Sequence, residues 1–519
     1  MSRALTLGLL VALATALALR CPQLGIRPAH NDEAVNAIKF QGLWEHGSYK
    51  YDPNEHHGPS LLYFTEAWGK LTGVPNFQHF DDARFRVVTV IFGLGLILLL
   101  PLVADGLGRN ATICAAIFTA ISPAMVFYSR YYIHEMLLVF FTFLALVAGW
   151  RYTRSHKIGW ALLAGAAIGL MQATKETFVL TLAAISAAFV LNHIWMRRIE
   201  ASDAPTKFKL NFTHLLAALA VWLVVAFILF SSFFTNASGP LDAVRTYLPW
   251  LHRAGGASPH IHPWNFYLSR LAWFHPDKGP VFSEALILLL AIIGLVVAFT
   301  RRGLVGVNAN LVRFLAFYTL ILTAIYSLLS YKTPWCLLSF WHGTILLAAV
   351  GAAALLQWVR PRTMKVAVGI LLLTGAAQLA FQAWQAGIVY SADRRNPYVY
   401  AQTSPDILNL VAKLDTLARA HPQKYQMLVK VMSPESNYWP LPWYLRQFNN
   451  VGWWPEVPTD PFAPVMIVST QFQAGFDEKK THLMVGMFEL RPQTFFELYV
   501  ELDLWRDYLR AIKPNPSQP

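Results

Sequence analysis

Long apolar runs recur along the chain, separated by short polar breaks. They lie near 4–20, 87–104, 111–128, 135–150, 159–173, 178–196, 213–234, 283–300, 312–330, 338–358 and 366–388. Most match the roughly 17–25 residues that a helix needs to cross a bilayer. The pattern predicts a polytopic bundle of about eleven spans. The range is ten to thirteen, because the fifth run is short and the tenth begins vaguely.

The breaks are unequal in charge. "WRYTRSHK", "MRRIEASDAPTKFK", "TRRG" and "VRPRTMK" are rich in Lys and Arg and fall on one side if the spans alternate. Short basic loops mark the cytoplasmic side. The N-terminus is therefore expected inside the cytoplasmic membrane and the segment from about 392 outside. The first run has the small-residue pair Ala16 and Ala18 of a signal peptide, but it reads better as a retained signal anchor.

Beyond the last span the period changes. "SPDILNLVAKLDTLARA" carries Ser404 as an N-cap, Pro405 at the first helical position and helical spacing of Ile407, Leu408, Leu410, Val411 and Leu414. "YQMLVKVMS" and "APVMIVST" have strand length. The expected organisation is a transmembrane unit over 1–391 and a small extracytoplasmic α/β domain over 392–519. The aromatic, Pro-rich "YWPLPWYLR" reads as loop or binding surface more than as core.

Composition agrees with a membrane protein. Of the 519 residues 55% are hydrophobic and 14% charged, where a soluble domain carries about a quarter charged residues. The net charge of +13 lies largely in the basic loops, which argues against a nucleic-acid partner. Cys21, Cys114 and Cys336 are too scattered for a disulfide framework or a metal knuckle.

The unusual polar residues all fall on the predicted outer side, where charge at membrane depth tends to mark function. The first outer loop, about 21–86, opens with "AHNDEAVNAIKF". Asp32 and Glu33 there suit a general base that takes the proton of an attacking hydroxyl. They equally suit a helix N-terminus and its first turn. In "NEHHGPSLLYF", His56 and His57 precede a Gly-Pro turn, and adjacent residues cannot share a helix face for a two-His metal site. "SRYYIHEMLLVFF" offers Arg130 and His134, four apart and on one face if helical, with Glu135 opening an apolar run. "ATKET" offers Lys175 and Glu176 between two spans, and "SYKTPW" adds Lys332. Each is also readable as a snorkelling charge or a structural ion pair. Together they supply acids and bases at one depth, as chemistry on an anionic lipid phosphate requires.

The order Asp-Glu, "HHGPSLLYF", "SRYYIHE", "ATKET", and later "YKTPW" and "YWPLPWYLR", resembles the GT-C superfamily of integral membrane glycosyltransferases. The resemblance is to the protein O-mannosyltransferase and lipid A aminoarabinose transferase type, and within it to the prokaryotic flippase activity-associated proteins. It implies an inverting transferase using a polyprenyl-phosphate-linked sugar on the outer leaflet, with a protein, lipid or glycan as acceptor. By motif, Asp32 matches the catalytic carboxylate with Glu33 beside it. Glu135 matches a second-loop acid that is commonly Asp in relatives, and Lys175 matches a basic contact for the lipid phosphate. Arg130 and Lys332 join Lys175 as phosphate-binding candidates. His56, His57, His134 and Glu176 are substrate-binding candidates. Some members use a divalent cation and others none, so the metal stays open. Against the enzyme stand a lipid-linked sugar flippase, or a non-catalytic partner in glycan assembly. The flippase is disfavoured because no internal repeat or midplane charge cluster is visible.

Overall fold

The computed structural model describes residues 2–54, 57–199, 211–250, 260–276, 278–303 and 306–512. Among these, eight helices are long and apolar enough to cross a membrane. A ninth span forms if Arg109–Ile121 and Pro123–Ser129, bent by 57° to each other, count as one. Two further apolar helices, Ile158–Gln172 and Ala285–Thr300, are shorter. All eleven predicted runs are thus helical. The bend falls where Pro123 lacks an N–H and Ser122 caps the new helix through its Oγ.

The centre of the bundle is the helix Leu338–Trp358, buried without interruption from Leu338 to Ala354. Its neighbour Ala285–Thr300 lies so close that a Cβ on Gly351 would strike the carbonyl of Leu290, and one on Gly294 that of Leu347. Small residues allow this approach where no hydrophobic effect drives helices together. Phe212–Phe230, by contrast, turns nearly all its side chains outward, as expected of a lipid-facing span.

The broken helix ends exchange caps. Arg20 is fully buried and donates to Ala120 O (2.7 Å), Thr119 O (2.7 Å) and Ser129 Oγ (3.1 Å). Arg130 returns the arrangement, donating to Arg20 O (2.7 Å), Pro22 O (2.6 Å) and Gln23 O (3.0 Å). Each guanidinium satisfies carbonyls that a helix end leaves without partners.

After the last span the chain forms a five-stranded sheet from β1 (Val429–Met432), β2 (Val451–Trp454), β3 (Val465–Ser469), β4 (His482–Arg491) and β5 (Thr494–Glu501). Its order is β2-β1-β3-β5-β4, parallel across β2-β1-β3 and antiparallel across β3-β5-β4. The helix Asp406–Ala420 buries Ile407, Leu410, Leu414 and Leu417 on one sheet face. Met432, Met466, Val468 and Tyr499 pack with Phe476 on the other.

The segment expected as loop or binding surface is instead part of the joint between sheet and bundle. Trp443 is buried against Phe77 and Phe85, and its Nε1–H donates to Asp82 Oδ1 (2.7 Å). Tyr444 accepts the Ala29 N–H (2.7 Å) and donates to Asp82 Oδ2 (3.2 Å). Ahead of the sheet, Gln402 and Thr403 donate to Pro28 O (3.0 Å) and Ala29 O (2.7 Å).

Candidate active site

The helix Asn31–His46 begins in a capping box. The His30 Nδ1 accepts the Asp32 N–H (3.1 Å), and the Glu33 carboxylate accepts the His30 N–H (3.0 Å). His30 Nε2–H donates to Tyr400 O (3.1 Å), which fixes the tautomer. Burial pushes the His30 ring below its ordinary range, so it stays neutral and keeps that acceptor.

This geometry separates the two adjacent acids. Glu33 is only 3% exposed, and Arg86 grips it with two bonds, Nε to Oε1 (2.8 Å) and NH2 to Oε2 (2.7 Å). The Tyr132 N–H adds a third at 2.8 Å, and Arg27 lies 3.5 Å away. Burial acts to raise the Glu33 carboxyl, but the Arg86 and Arg27 guanidiniums outweigh it and hold it at about 2. Asp32 is 42% exposed and lines a cavity of about 580 Å³. Glu33, expected beside it in catalysis, does not line that cavity. With its lone pairs taken by Arg86, Tyr132 and His30, it is an anchor.

The "HHGPS" and "ATKET" stretches form the facing wall. Gly58 N donates to Thr174 O (3.1 Å), Ser60 N to Ala173 O (2.9 Å), and the Ser60 and Thr174 hydroxyls meet at 2.8 Å. Gly58 is required at this seam, because a Cβ there would overlap the Ala173 carbonyl. The register brings His57 Nδ1–H onto Glu176 Oε2 at 2.9 Å. His57 also stacks on Trp250, with ring centroids 5.4 Å apart. His56 lies outside the described residues.

The third wall is the turn before Glu135–Ser155. Arg130 and His134 do not share a helix face, since helical structure stops at Ser129 and resumes at Glu135. His134 Nε2–H donates to Gly58 O (3.1 Å). Burial first, then His57 and Lys175, hold its ring well below the ordinary range. Glu135 is ion-paired with Lys175, both nearly buried. Burial acts against the Lys175 charge, but the Glu135 carboxylate outweighs it and raises the ammonium above its usual range. Glu176 shifts down, since His57 and then Lys175 overcome its burial.

Asp32, His57, His134, Glu135, Lys175 and Glu176 therefore line one cavity. Arg130 and Lys332, also expected at the phosphate, do not. Arg130 caps the first helix, and Lys332 donates to Leu329 O and to His262 O (3.2 Å) beyond the end of Ala309–Leu328. Both cations satisfy backbone carbonyls instead. Asn36 and Lys39 also line the cavity, as do Tyr247, Trp250 and Trp335. Asn36 and Lys39 follow Asp32 by four and seven residues, so helical period alone identifies them. Nothing in the sequence marks Tyr247 or Trp250. Leu62, Val179, Leu180 and Leu329 give the cavity an apolar stretch, beside polar lining from Asn31, Thr177, Ser330 and Thr333. Among the described residues no group of three or more His, Cys, Asp or Glu is placed to hold a metal ion.

The comparisons define the class of fold. The profile of the dolichyl-phosphate-mannose-protein mannosyltransferase family matches residues 64–238, about a third of the chain, a stretch with Glu135 and Lys175 but without Asp32. ArnT from Cupriavidus metallidurans bound to undecaprenyl phosphate aligns over 96% of this chain and 98% of its own, with a TM-score of 0.63 at 13% identity. Its apo state gives the same values. The Archaeoglobus fulgidus oligosaccharyltransferase complex with Zn and sulfate aligns over 90% of this chain and 68% of its own, with a TM-score of 0.52 at 11% identity. No relative among curated sequences matches. The protein is a multi-pass membrane protein with the fold of the GT-C superfamily of membrane glycosyltransferases.

Proposed function

We propose that the protein transfers a sugar from a polyprenyl-phosphate donor to an acceptor hydroxyl at the outer face of the cytoplasmic membrane, inverting the anomeric carbon. One observation carries this reading. A half-exposed carboxylate, Asp32, and a buried ammonium, Lys175, line a single cavity that also has an apolar wall of Leu62, Val179, Leu180 and Leu329. That is the set of surfaces a lipid-linked sugar phosphate needs: a cation for the phosphate, hydrocarbon for the prenyl chain, and a base for the acceptor. The lipid named with the similar ArnT structure belongs to the same donor class.

In this reading Asp32 accepts the proton of the attacking hydroxyl. Lys175 stabilises the phosphate as it departs, when negative charge grows on it. Glu135 holds the lysine in place before the donor arrives. The unit over 1–391 carries the chemistry, and the part from 392 braces the N-terminus of the Asp32 helix from outside.

The test uses purified protein in nanodiscs and a panel of polyprenyl-phosphate sugars, with release of polyprenyl phosphate as the readout. Asp32→Asn keeps size and hydrogen bonding and should lower turnover on the true donor by about a hundredfold or more. Undiminished turnover in Asp32→Asn would return the residue to a helix-start role.

A further inference from the structure

Three features of the cavity wall have no task in the reaction above: the His57–Glu176 pair, the stacking of His57 on Trp250, and the seam that fixes both residues. The charges around them pose a problem for any anionic donor. Three carboxylates (Asp32, Glu135, Glu176) and two ammonium groups (Lys39, Lys175) are among the described lining residues. With both imidazoles neutral, these side chains sum to one negative charge, which repels a phosphodiester.

His134 does not correct the balance. Its Nε2–H is committed to Gly58 O, and it is buried beside His57 and Lys175. His57 is differently placed. Its side chain is 28% exposed and lines the cavity, and Glu176 behind it is only 5% exposed. The carboxylate takes Nδ1–H at 2.9 Å, so Nε2 is the nitrogen left to serve the cavity. Trp250 stacks against the ring, and His134 meets it edge-on at 5.1 Å. Glu176 is set by the Gly58–Thr174 and Ser60–Ala173 bonds, and its own carbonyl accepts from Tyr247 (3.3 Å). A carboxylate-backed imidazole fixed by this many partners is preorganised as a proton donor.

We propose that His57, oriented by Glu176, is the general acid that protonates the departing lipid phosphate from Nε2. This rests on the glycosyl-transfer reading. The bond from the anomeric carbon to the phosphate oxygen breaks as the bond to the acceptor oxygen forms. The acceptor proton passes to the Asp32 carboxylate, and the Nε2 proton of the His57 imidazolium passes to the released phosphate. Polyprenyl phosphate leaves as a monoanion, and solvent restores both groups. Glu176 touches no substrate in this scheme and is a positioning residue.

The experiment is calorimetric binding of a polyprenyl monophosphate to the full chain in nanodiscs at about pH 8, where the free monoester is a dianion. Repeating it in buffers of different ionisation enthalpy counts the protons taken up. Wild type should take up close to one proton per phosphate. His57→Gln should abolish most of that uptake and weaken binding about tenfold. Glu176→Gln keeps an acceptor for Nδ1–H but removes the charge, so the pH at which uptake is half-complete should fall. Lys175→Met should weaken binding while leaving proton uptake in place. Binding with equal proton uptake in wild type and His57→Gln would overturn the general acid and leave the lipid-phosphate site standing. Absence of polyprenyl phosphate binding in wild type would overturn both.

Discussion

Replacing Glu33 by Gln tests how the site is held together, because the side chain keeps its shape and loses only its charge. In the folded protein this carboxylate meets Arg86 twice, Arg27 once, and two backbone N–H groups. The fall of its carboxyl from 4.5 to about 2 corresponds to about 3 kcal/mol of stabilisation of the charged form. Removing one partner of a buried ion pair costs about 3–5 kcal/mol by a separate route, since the other charge stays uncompensated. Glu33→Gln should therefore lose about 3 kcal/mol of unfolding free energy, measured by SDS titration in mixed micelles at neutral pH. Because the folded value lies below the unfolded one, the stabilisation is complete above about pH 4.5 and disappears as pH falls towards about 2. The wild-type and variant curves should converge over that interval. A single variant within about 0.5 kcal/mol of wild type would refute the anchor and reopen a chemical role for Glu33.

Two further outcomes follow from the placement of charge. In a cysteine-free background, a cysteine at Ser404 should label from outside intact cells and one at Arg301 should not, if the basic loops face the cytoplasm as their charge predicts; the reverse pattern would move the cavity to the wrong face. Lys175→Met should weaken donor binding and also slow turnover at saturating donor, with Lys175→Arg retaining part of both. Unchanged kinetics per folded molecule in Lys175→Met would remove the lysine from the reaction.

The spans were legible because their signal is simple length and hydropathy, which the bilayer imposes on each helix separately. The strands of the outer sheet were legible only in part. β1 and β3 are buried on both faces and apolar but for Lys430 and the terminal Ser469, whereas β4 is interrupted by register shifts at Met484/Gly486 and Glu489/Arg491. Such shifts spoil the alternation on which strand reading depends. The site shows a similar division. Residues of Asp-Glu, "HHGPS" and "ATKET" do meet in space, but sequence gave no means to separate Asp32 from Glu33. Adjacent positions point about 100° apart on a helix, and the choice was made by Arg86, more than fifty residues away. Arg130 and Lys332 misled for a physical reason: at membrane depth a bare helix-end carbonyl attracts a cation as well as a phosphate does. Asn36 and Lys39 are readable from helical period alone, four and seven residues beyond Asp32.

The joint between Tyr444, Gln402, Thr403 and the stretch Pro28–His30 bears on how the protein is made. A ribosome delivers the Asp32 helix well before its brace, which lies about four hundred residues further along the chain. Until those residues have been synthesised, the Ala29 N–H and the carbonyls of Pro28 and Ala29 lack these protein partners. The half-made protein therefore carries Asp32 on an unbraced helix end. On the reaction proposed above, the site is then complete only once the brace has docked.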